Sequence, residues 1–328
     1  MSTNELKQIK LLTEKDIVTD RIFLVKDKVY STGKNGRAFL SLLVGDKTGQ
    51  IDCRVWDNVE ELNAVFEIGD FVKIKGAVQI YNQRKQLVVH KLENSNSLNL
   101  DKNDFILEQK KLDTDSLFIE LHQFIQKIEN AMIKQLCLDC LTDLEIKNLL
   151  LISPAAKSIH HAERGGLLNH IISICKLMDF MGSHYRDLNK DFLFFGAIFH
   201  DLGKIWELEI NKNNQISYTH VGQLLGHMYL SCELVEKKSR KILGFPDDLR
   251  ILLKHIILGH HGKIEYGSPK LPMFPEAFVV AMIDELDSKV DQVMNFVKSE
   301  RQTGENWSRY HENLERYFYI EDLKGKWN

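Results

Sequence analysis

The chain has 328 residues, of which 44% are hydrophobic and 27% charged, and its formal net charge is -3. This length and composition exclude a disordered, collagen-like or coiled-coil protein and favour about two domains. The slight negative charge argues against a protein that coats nucleic acid or an anionic membrane through bulk charge. The apolar runs are too short to span a bilayer and residues 1–10 are polar, so we expect a cytoplasmic protein with no membrane partner.

Residues 22–92 predict short β-strands separated by turns that contain Gly, Asn and Asp. The expected strands are 23–30, 37–44, 50–56, 71–80 and 85–92. Residues 58–65, between the third and fourth strands, favour a helix. Five strands with a helix after the third is the order of an OB-fold barrel.

After a polar connector at residues 94–97 the apolar residues recur at helical spacing. The expected helices are 116–138, 143–151, 164–181, 190–201, 221–243, 247–260 and 275–298. The chain is therefore predicted to be multidomain, an N-terminal all-β OB-fold barrel followed by an all-α helical domain. The predicted divisions are a barrel domain over 1–95, a helical connector over 96–150, a helical domain over 151–300 and a C-terminal tail over 301–328.

The barrel region is basic although the whole chain is acidic. Residues 21–93 contain twelve Lys and Arg against nine Asp and Glu. Aromatic rings interleaved with cations are typical of a surface that stacks bases and follows phosphates. The candidate contacts in this region are Phe39, Trp56, Tyr81, Arg37, Arg54 and Arg84. Two alternatives stay open, since the rings of such a domain also fill barrel cores and some OB folds bind proteins.

Histidines are concentrated in the helical region, where ten of the thirteen lie between His160 and His261. His200 and Asp201 are adjacent at the end of an apolar helix, and neighbouring helical residues diverge by about 100°, so a shared metal needs ligands from other helices. His170 and Asp284 stand on two such helices among apolar neighbours. A carboxylate buried there is normally paired or metal-bound. These four residues predict a metal site.

A second set of imidazoles is available for another ion. It consists of His227, His255, His260 and His261. Asp201 has two oxygens with which to bridge both sites, and two ions about 3.5 to 4 Å apart can clamp a phosphoryl group. Taken singly, a histidine on one of these helices is more often a hydrogen-bonded core or surface residue than a metal ligand.

The ordered set His170, His200-Asp201 and Asp284 resembles the HD superfamily of metal-dependent phosphohydrolases. Together with the five-stranded region, the runs Gly165–His170, Phe199–Lys204, Gly226-His227 and Gly259–Pro269 resemble the YhaM-type 3′-to-5′ exoribonucleases over nearly the whole chain. An isolated His-Asp pair is weak evidence, whereas the ordered set is specific.

The resemblance implies a metal-dependent exoribonuclease that acts on single-stranded RNA, with single-stranded DNA also compatible. It assigns His170, His200, Asp201 and Asp284 to one ion, and His227 and His260 to a second. It favours Mn²⁺, while the mixed donors also accept Mg²⁺, Fe²⁺ or Zn²⁺. Lys204 and His261 are expected to act beside Asp201 in catalysis, with His261 either joining the second ion or contacting phosphate. His161 and Arg164 are expected to contact the terminal nucleotide.

Two other functions remain open at this point. An HD-type site also suits a phosphohydrolase of nucleotides or cyclic nucleotides, because the metal chemistry is indifferent to what lies beyond the phosphate. A non-catalytic single-strand-binding protein with a structural helical core is the alternative from another class. The sequence leaves the oligomeric state open, a homo-oligomer included.

Overall fold

The computed structural model describes residues 8–33, 36–81, 84–96, 105, 112–156, 163–210, 216–301 and 306–323. The chain divides into two compact units. The first, here the barrel unit, takes Met1–Lys110 and Phe296–Asn328, and the second, here the helical unit, takes Lys111–Asn295. Among the described residues, no helix combines the length and apolar character that crossing a membrane requires.

The barrel unit contains the elements β1 Ile17–Thr32, β2 Ala38–Asp46, β3 Gly49–Val55, α1 Val59–Val65, β4 Phe71–Tyr81 and β5 Arg84–Asn94. The five strands form a closed barrel in the order β1-β2-β3-β5-β4, which confirms the predicted OB fold. β3 and β5 pair in parallel and the other neighbouring strands are antiparallel. β1 is longer than predicted, because two irregularities in its register let one strand pair with both β2 and β4.

Alternation along the strands fills the barrel. Leu40, Leu42 and Val44 of β2 point inward and are buried, while Ser41 between them pairs in register with Arg54 on the outer face. At the end of β2, the buried carboxylate of Asp46 accepts hydrogen bonds from the backbone N–H groups of Thr48 (2.7 Å) and Gly49 (3.1 Å). It thereby holds the turn into β3.

The helical unit contains nine helices and a short hairpin within the described residues. These elements are α2 Thr114–Gln126, α3 Ala131–Leu141, α4 Leu144–Leu150, α5 Gly166–His184, α6 Lys190–Phe199, α7 Lys204–Glu207, β6 Leu208–Ile210, β7 Ile216–Tyr218, α8 His220–Ser239, α9 Asp247–Gly259 and α10 Pro275–Glu300. The last residues of α10 are grouped with the barrel unit. α2, α3 and α4, from the predicted connector, share one hydrophobic core with the later helices.

Two helix predictions were wrong in detail. The helix predicted over 116–138 is broken into α2 and α3, because the Asn130 side chain accepts hydrogen bonds from the backbone N–H groups of Met132 and Ile133 and starts a new helix. The intervening turn keeps Ile128 buried, so the apolar spacing continues through the break. The helix predicted over 221–243 ends at Ser239 and is kinked at Gly226.

α6 is the central element of the helical unit. Every residue from Leu193 to Phe199 is buried, including the rings of Phe194, Phe195 and Phe199. Gly196 allows α10 to approach closely, since a Cβ there would lie 2.4 Å from a methyl carbon of Val280. Because α6 is enclosed, the residues that follow its last turn are carried into the interior.

We predict that Asp46→Ala destabilises the barrel by about 3 kcal/mol. Besides the turn, Asp46 accepts a hydrogen bond from the backbone N–H of Ile9 (3.0 Å) and forms an ion pair with the largely buried Arg21. The substitution leaves the Arg21 charge without its partner. Hydrogen exchange of the β1 and β3 amides measures the change. Asp52→Ala, which removes a partly exposed carboxylate from β3, is the matched control. Equal protection in both variants would contradict the prediction.

Candidate metal centre and nucleic-acid surface

Four of the predicted ligands converge at the end of α6. His170 comes from α5, Asp284 from α10, and His200 and Asp201 follow the last turn of α6. His170 Nε2 lies 3.2 Å from His200 Nε2 and 3.2 Å from Asp284 Oδ1. One ligand atom from each of the four lies within 4.8 Å of all the others. We call this set the first cluster.

The second cluster consists of His227, His260 and His261, whose ligand atoms lie within the same 4.8 Å limit. It adjoins the first through Asp201, because Asp201 Oδ1 lies 3.3 Å from His227 Nε2 and 3.5 Å from His260 Nε2. The other oxygen, Oδ2, is directed to the first cluster, 3.6 Å from His200 Nε2. The structure therefore places the Asp201 carboxylate between the two clusters, as a bridging ligand requires.

Two glycines allow this approach. A Cβ at Gly203 would lie 2.2 Å from the backbone oxygen of His227, and the Gly203 N–H donates to Ser231 Oγ at 2.7 Å. The turn after Asp201 can therefore pack directly on α8. Gly226 has φ +73°, a left-handed conformation that glycine adopts without strain, and it kinks α8 just before His227.

Each histidine is oriented by a hydrogen bond at its outer nitrogen, Nδ1. The partners of Nδ1 are Asp287 Oδ2 for His170 (2.9 Å), Gly196 O for His200 (2.9 Å), Glu207 Oε2 for His227 (3.0 Å), Ile257 O for His260 (2.7 Å) and Tyr266 O for His261 (2.8 Å). With Nδ1 as the donor, the lone pair of each ring in its neutral form stands on Nε2. Metal-binding histidines in proteins are usually held by this arrangement.

Three buried atoms at the junction of the clusters lack a hydrogen-bond partner within the described part of the chain. They are Asp201 Oδ1, His227 Nε2 and His260 Nε2. A buried carboxylate oxygen or imidazole nitrogen without a partner costs free energy, and a divalent cation would satisfy all three. The donor set of imidazole nitrogens and carboxylate oxygens suits such a cation. The residues present therefore fit the metal that the sequence predicted.

The charges of the centre are strongly coupled. Burial acts to raise the pKa of Asp201, but Lys204 and His200 outweigh it and hold that pKa well below its usual range. Burial also acts to raise the pKa of Asp284, but hydrogen bonds to His170 and His200 outweigh it and hold that pKa well below its usual range. Burial would lower the pKa of His170, but the hydrogen bonds to Asp284 and Asp287 raise it to about 9.

Asp287 and Glu207 were not predicted as site residues. Asp287 lies one helical turn after Asp284, so the i, i+3 spacing of two acids on one helix was the available signal. Glu207 accepts hydrogen bonds from the backbone N–H of His227 (3.0 Å) and from its ring. Nothing in the local pattern indicated Glu207, because its partner lies 20 residues further along the chain.

Lys204 and His255 differ in their relation to the clusters. Lys204 Nζ lies 2.6 Å from Asp201 Oδ2, so its charge is at the first cluster. Burial acts to lower the pKa of Lys204, but Asp201 raises it, which keeps the ammonium protonated. His255 belongs to neither cluster: its Nε2 accepts a hydrogen bond from the backbone N–H of Met273 at 3.0 Å.

On the barrel, four of the predicted nucleic-acid contacts come together. Phe39 and Trp56 have ring centroids 5.1 Å apart, and the Arg54 guanidinium lies 5.7 Å from the Phe39 centroid. Arg37 donates a hydrogen bond to the backbone oxygen of Trp56 at 3.2 Å and forms an exposed ion pair with Asp57 at 2.8 Å. We call these four residues the aromatic–arginine patch. It offers ring faces and guanidinium groups where β2 begins and β3 ends.

The remaining predicted contacts lie elsewhere. Tyr81 is exposed and pairs in register with Arg84 across β4 and β5. Arg84 begins β5, and its largely buried guanidinium is paired with Glu300, 2.9 Å away, so Arg84 is not part of the patch. Arg164 is exposed just before α5, and His161 falls outside the described residues.

Comparison with known proteins agrees with this description. A family model of the OB-fold nucleic acid binding domain matches residues 20–94, and one of the HD domain matches residues 167–289. The 3′-5′ exoribonuclease YhaM of Listeria monocytogenes is 32% identical over 304 residues, which cover 90% of this chain and 96% of that protein. The chain belongs to the YhaM family. The YhaM protein of a Geobacillus species is 31% identical over 303 residues, covering 92% of this chain and 91% of that protein.

We predict that removal of divalent metal makes stability depend on pH. In the metal-free centre His170 keeps its proton up to pH about 9, whereas the unfolded chain keeps it only below about 6.5. The resulting stabilisation, about 3 kcal/mol, is complete below pH 6.5 and is lost as the pH rises through 9. The Tm of chelator-treated protein should therefore fall over this interval.

The matched control for this prediction is His184→Gln, which changes an exposed histidine of α5 and should preserve the fall in Tm. His170→Gln should remove most of it, whatever its effect on Tm at neutral pH. A metal-free protein whose Tm rises from pH 6.5 to 9 would contradict the assignment of the proton to His170.

Proposed function

We propose that this chain is a metal-dependent 3′-to-5′ exoribonuclease that hydrolyses single-stranded RNA. The observation that carries the proposal is the Asp201 carboxylate shared by two histidine-rich clusters, in a chain whose relatives are exoribonucleases over 90% of its length. The barrel that precedes the helical unit in the sequence supports a polymer substrate over a small nucleotide. Single-stranded DNA is the competing substrate, since the patch contains no group that distinguishes a 2′-hydroxyl.

In this proposal two divalent ions occupy the centre, with Mn²⁺ preferred over Mg²⁺, Fe²⁺ or Zn²⁺. His170, His200, Asp201 and Asp284 hold one, and His227, His260 and Asp201 hold the other. When bound, such ions withdraw charge from phosphoryl oxygens and lower the pKa of water toward neutrality. The support is the donor chemistry of both clusters and the three unpartnered atoms between them.

The chain's own residues then prepare the centre for this chemistry. Asp287 and Glu207 hold His170 and His227 with Nε2 directed inward. Lys204 keeps a positive charge beside Asp201, where it can contact a phosphoryl oxygen. His261 is less buried than His260 and joins the second cluster, so we assign it to the phosphate or to the second ion.

The aromatic–arginine patch serves as the single-strand-binding surface in this proposal. Phe39 and Trp56 stack bases, while Arg37 and Arg54 contact the phosphates. Stacking of this kind accepts any base, which suits an enzyme that shortens a strand one nucleotide after another.

We predict that the purified protein, supplied with Mn²⁺, shortens a 5′-labelled single-stranded RNA progressively from its 3′ end. Asp201→Ala should reduce the rate about a thousandfold or more, because it removes the ligand shared by both clusters. Gel electrophoresis of the labelled products measures the rate, with the matching DNA strand in parallel. Asp248→Ala, which removes an acid from the first turn of α9, is the control and should retain activity.

Metal content distinguishes the roles of the clusters in the same experiment. His227→Ala should lower the bound metal from about two ions per chain to about one and abolish shortening. Hydrolysis of free nucleotides without any shortening of RNA would favour the small-molecule phosphohydrolase. Intact metal binding with no hydrolysis of either would favour the non-catalytic binding protein.

We predict that replacing both Phe39 and Trp56 with alanine weakens binding of single-stranded RNA by about 2 kcal/mol, about thirtyfold in Kd. Fluorescence anisotropy of labelled RNA measures the change. Metal content should be unchanged, because both rings belong to the barrel unit. Phe180→Ala, which removes an exposed ring from α5, is the control. Equal weakening in the control would argue against a specific patch.

A further inference from the structure

A groove of about 630 Å³ lies beside the second cluster, and the chemistry proposed above does not use it. One wall is α8, from Leu225 to Glu236, and the other is formed by Lys254 and Leu258 of α9 with the loop at Gly267 and Pro269. His227 lines the groove while its Nε2 stands 3.3 Å from Asp201 Oδ1. A molecule in the groove is therefore next to the reacting phosphate. We propose that this groove binds the 3′-terminal nucleoside of the substrate.

The size and lining of the groove fit a nucleoside. Its volume lies within the range of pockets that enclose small molecules. Much of the lining is apolar, including Leu225, Met228 and Leu258. Tyr229 stands on the same wall and the residue is 51% exposed, so its ring is accessible to a base. Stacking on such a ring requires no particular base, as an enzyme that removes every nucleotide in turn needs.

The charge of the groove selects which part of the strand enters it. Its charged side chains are Glu207, Glu233, Glu236 and Lys254. Glu207 is held by His227, and Glu236 lies 3.2 Å from Lys254. Glu233 forms no ion pair within the described part of the chain, and it leaves the groove negative. Internal nucleotides of RNA carry phosphates on both sides, which such a groove repels.

A terminal nucleoside with free hydroxyls meets no such repulsion, and its hydroxyls can donate to the Glu233 carboxylate. The terminal residue would then leave as a nucleoside 5′-monophosphate. In that hydrolysis the oxygen of water bonds to phosphorus, the bond from phosphorus to O3′ of the preceding nucleotide breaks, and that O3′ takes a proton. The new end again carries a free 3′-hydroxyl and can enter the groove.

This proposal rests on the proposed exoribonuclease function. Its test compares three different 3′ ends on the same RNA sequence. Three 5′-labelled strands of the same sequence end in a 3′-hydroxyl, a 3′-phosphate or an abasic ribose. The native protein should shorten the 3′-hydroxyl strand about tenfold faster than either of the others. Glu233→Gln should reduce the discrimination against the 3′-phosphate, whereas Asp248→Asn, an exposed acid outside the groove, should not.

The role of the Tyr229 ring is tested by comparing the effect of removing the ring with the effect of removing the terminal base. Tyr229→Ala should raise KM about tenfold for the 3′-hydroxyl strand and should add nothing to the loss already caused by the abasic end. Tyr185→Ala, which removes a ring of similar exposure from the end of α5, should leave KM unchanged.

The results distinguish failure of the proposed exoribonuclease function from failure of the groove proposal alone. A native protein that shortens no RNA would overturn the exoribonuclease and the groove together. A native protein that shortens all three ends equally would overturn only the groove, as would additive losses from Tyr229→Ala and the abasic end.

Discussion

The shared position of the Asp201 carboxylate is the constraint on which the rest of the helical unit depends. Its two oxygens are directed to different clusters, 3.6 Å from His200 Nε2 and 3.3 Å from His227 Nε2. A buried carboxylate is stable there only if its charge is compensated, and Lys204 and the surrounding histidines supply that compensation. The enclosed α6, the glycine turn at Gly203 and the kink at Gly226 all serve to bring these charges together.

The orientation of these histidines depends in turn on the groups that contact their Nδ1 atoms. Backbone oxygens at the ends of α6 and α9 orient His200 and His260, whereas carboxylates orient His170 and His227. The C-terminal end of every helix has backbone oxygens without an intrahelical partner, so a histidine at that position can donate to one of them. A carboxylate has to be supplied by another residue, and here Asp287 and Glu207 supply it.

The barrel shows which structural features local sequence patterns predict correctly. Alternation in strands such as β2 and turn residues such as those at Asp46 predicted the individual strands, since period-two burial and turn chemistry are local properties. The order of five strands with a helix after the third then predicted the OB fold. The prediction of a single helix over 116–138 was wrong because the apolar spacing continues through the turn at Ile128. Only the helix cap at Asn130 marks the break. The pairing of Arg84 with Glu300 was not predictable, because the two residues are 216 positions apart in the chain.

The sequence by itself determined the order of the barrel and the helices, and the residue types of the centre. His170, His200-Asp201 and Asp284 could be selected because imidazoles and acids among apolar helical residues need a compensating partner. His227 and His260 could be selected from the other histidines only through the resemblance to the YhaM-type family. Only the tertiary structure decided that Asp201 lies between the clusters, that Asp287 and Glu207 hold the rings, and that a negative groove adjoins His227. Those relations join side chains from different helices, and helix packing, which local sequence patterns do not encode, sets their distances and orientations.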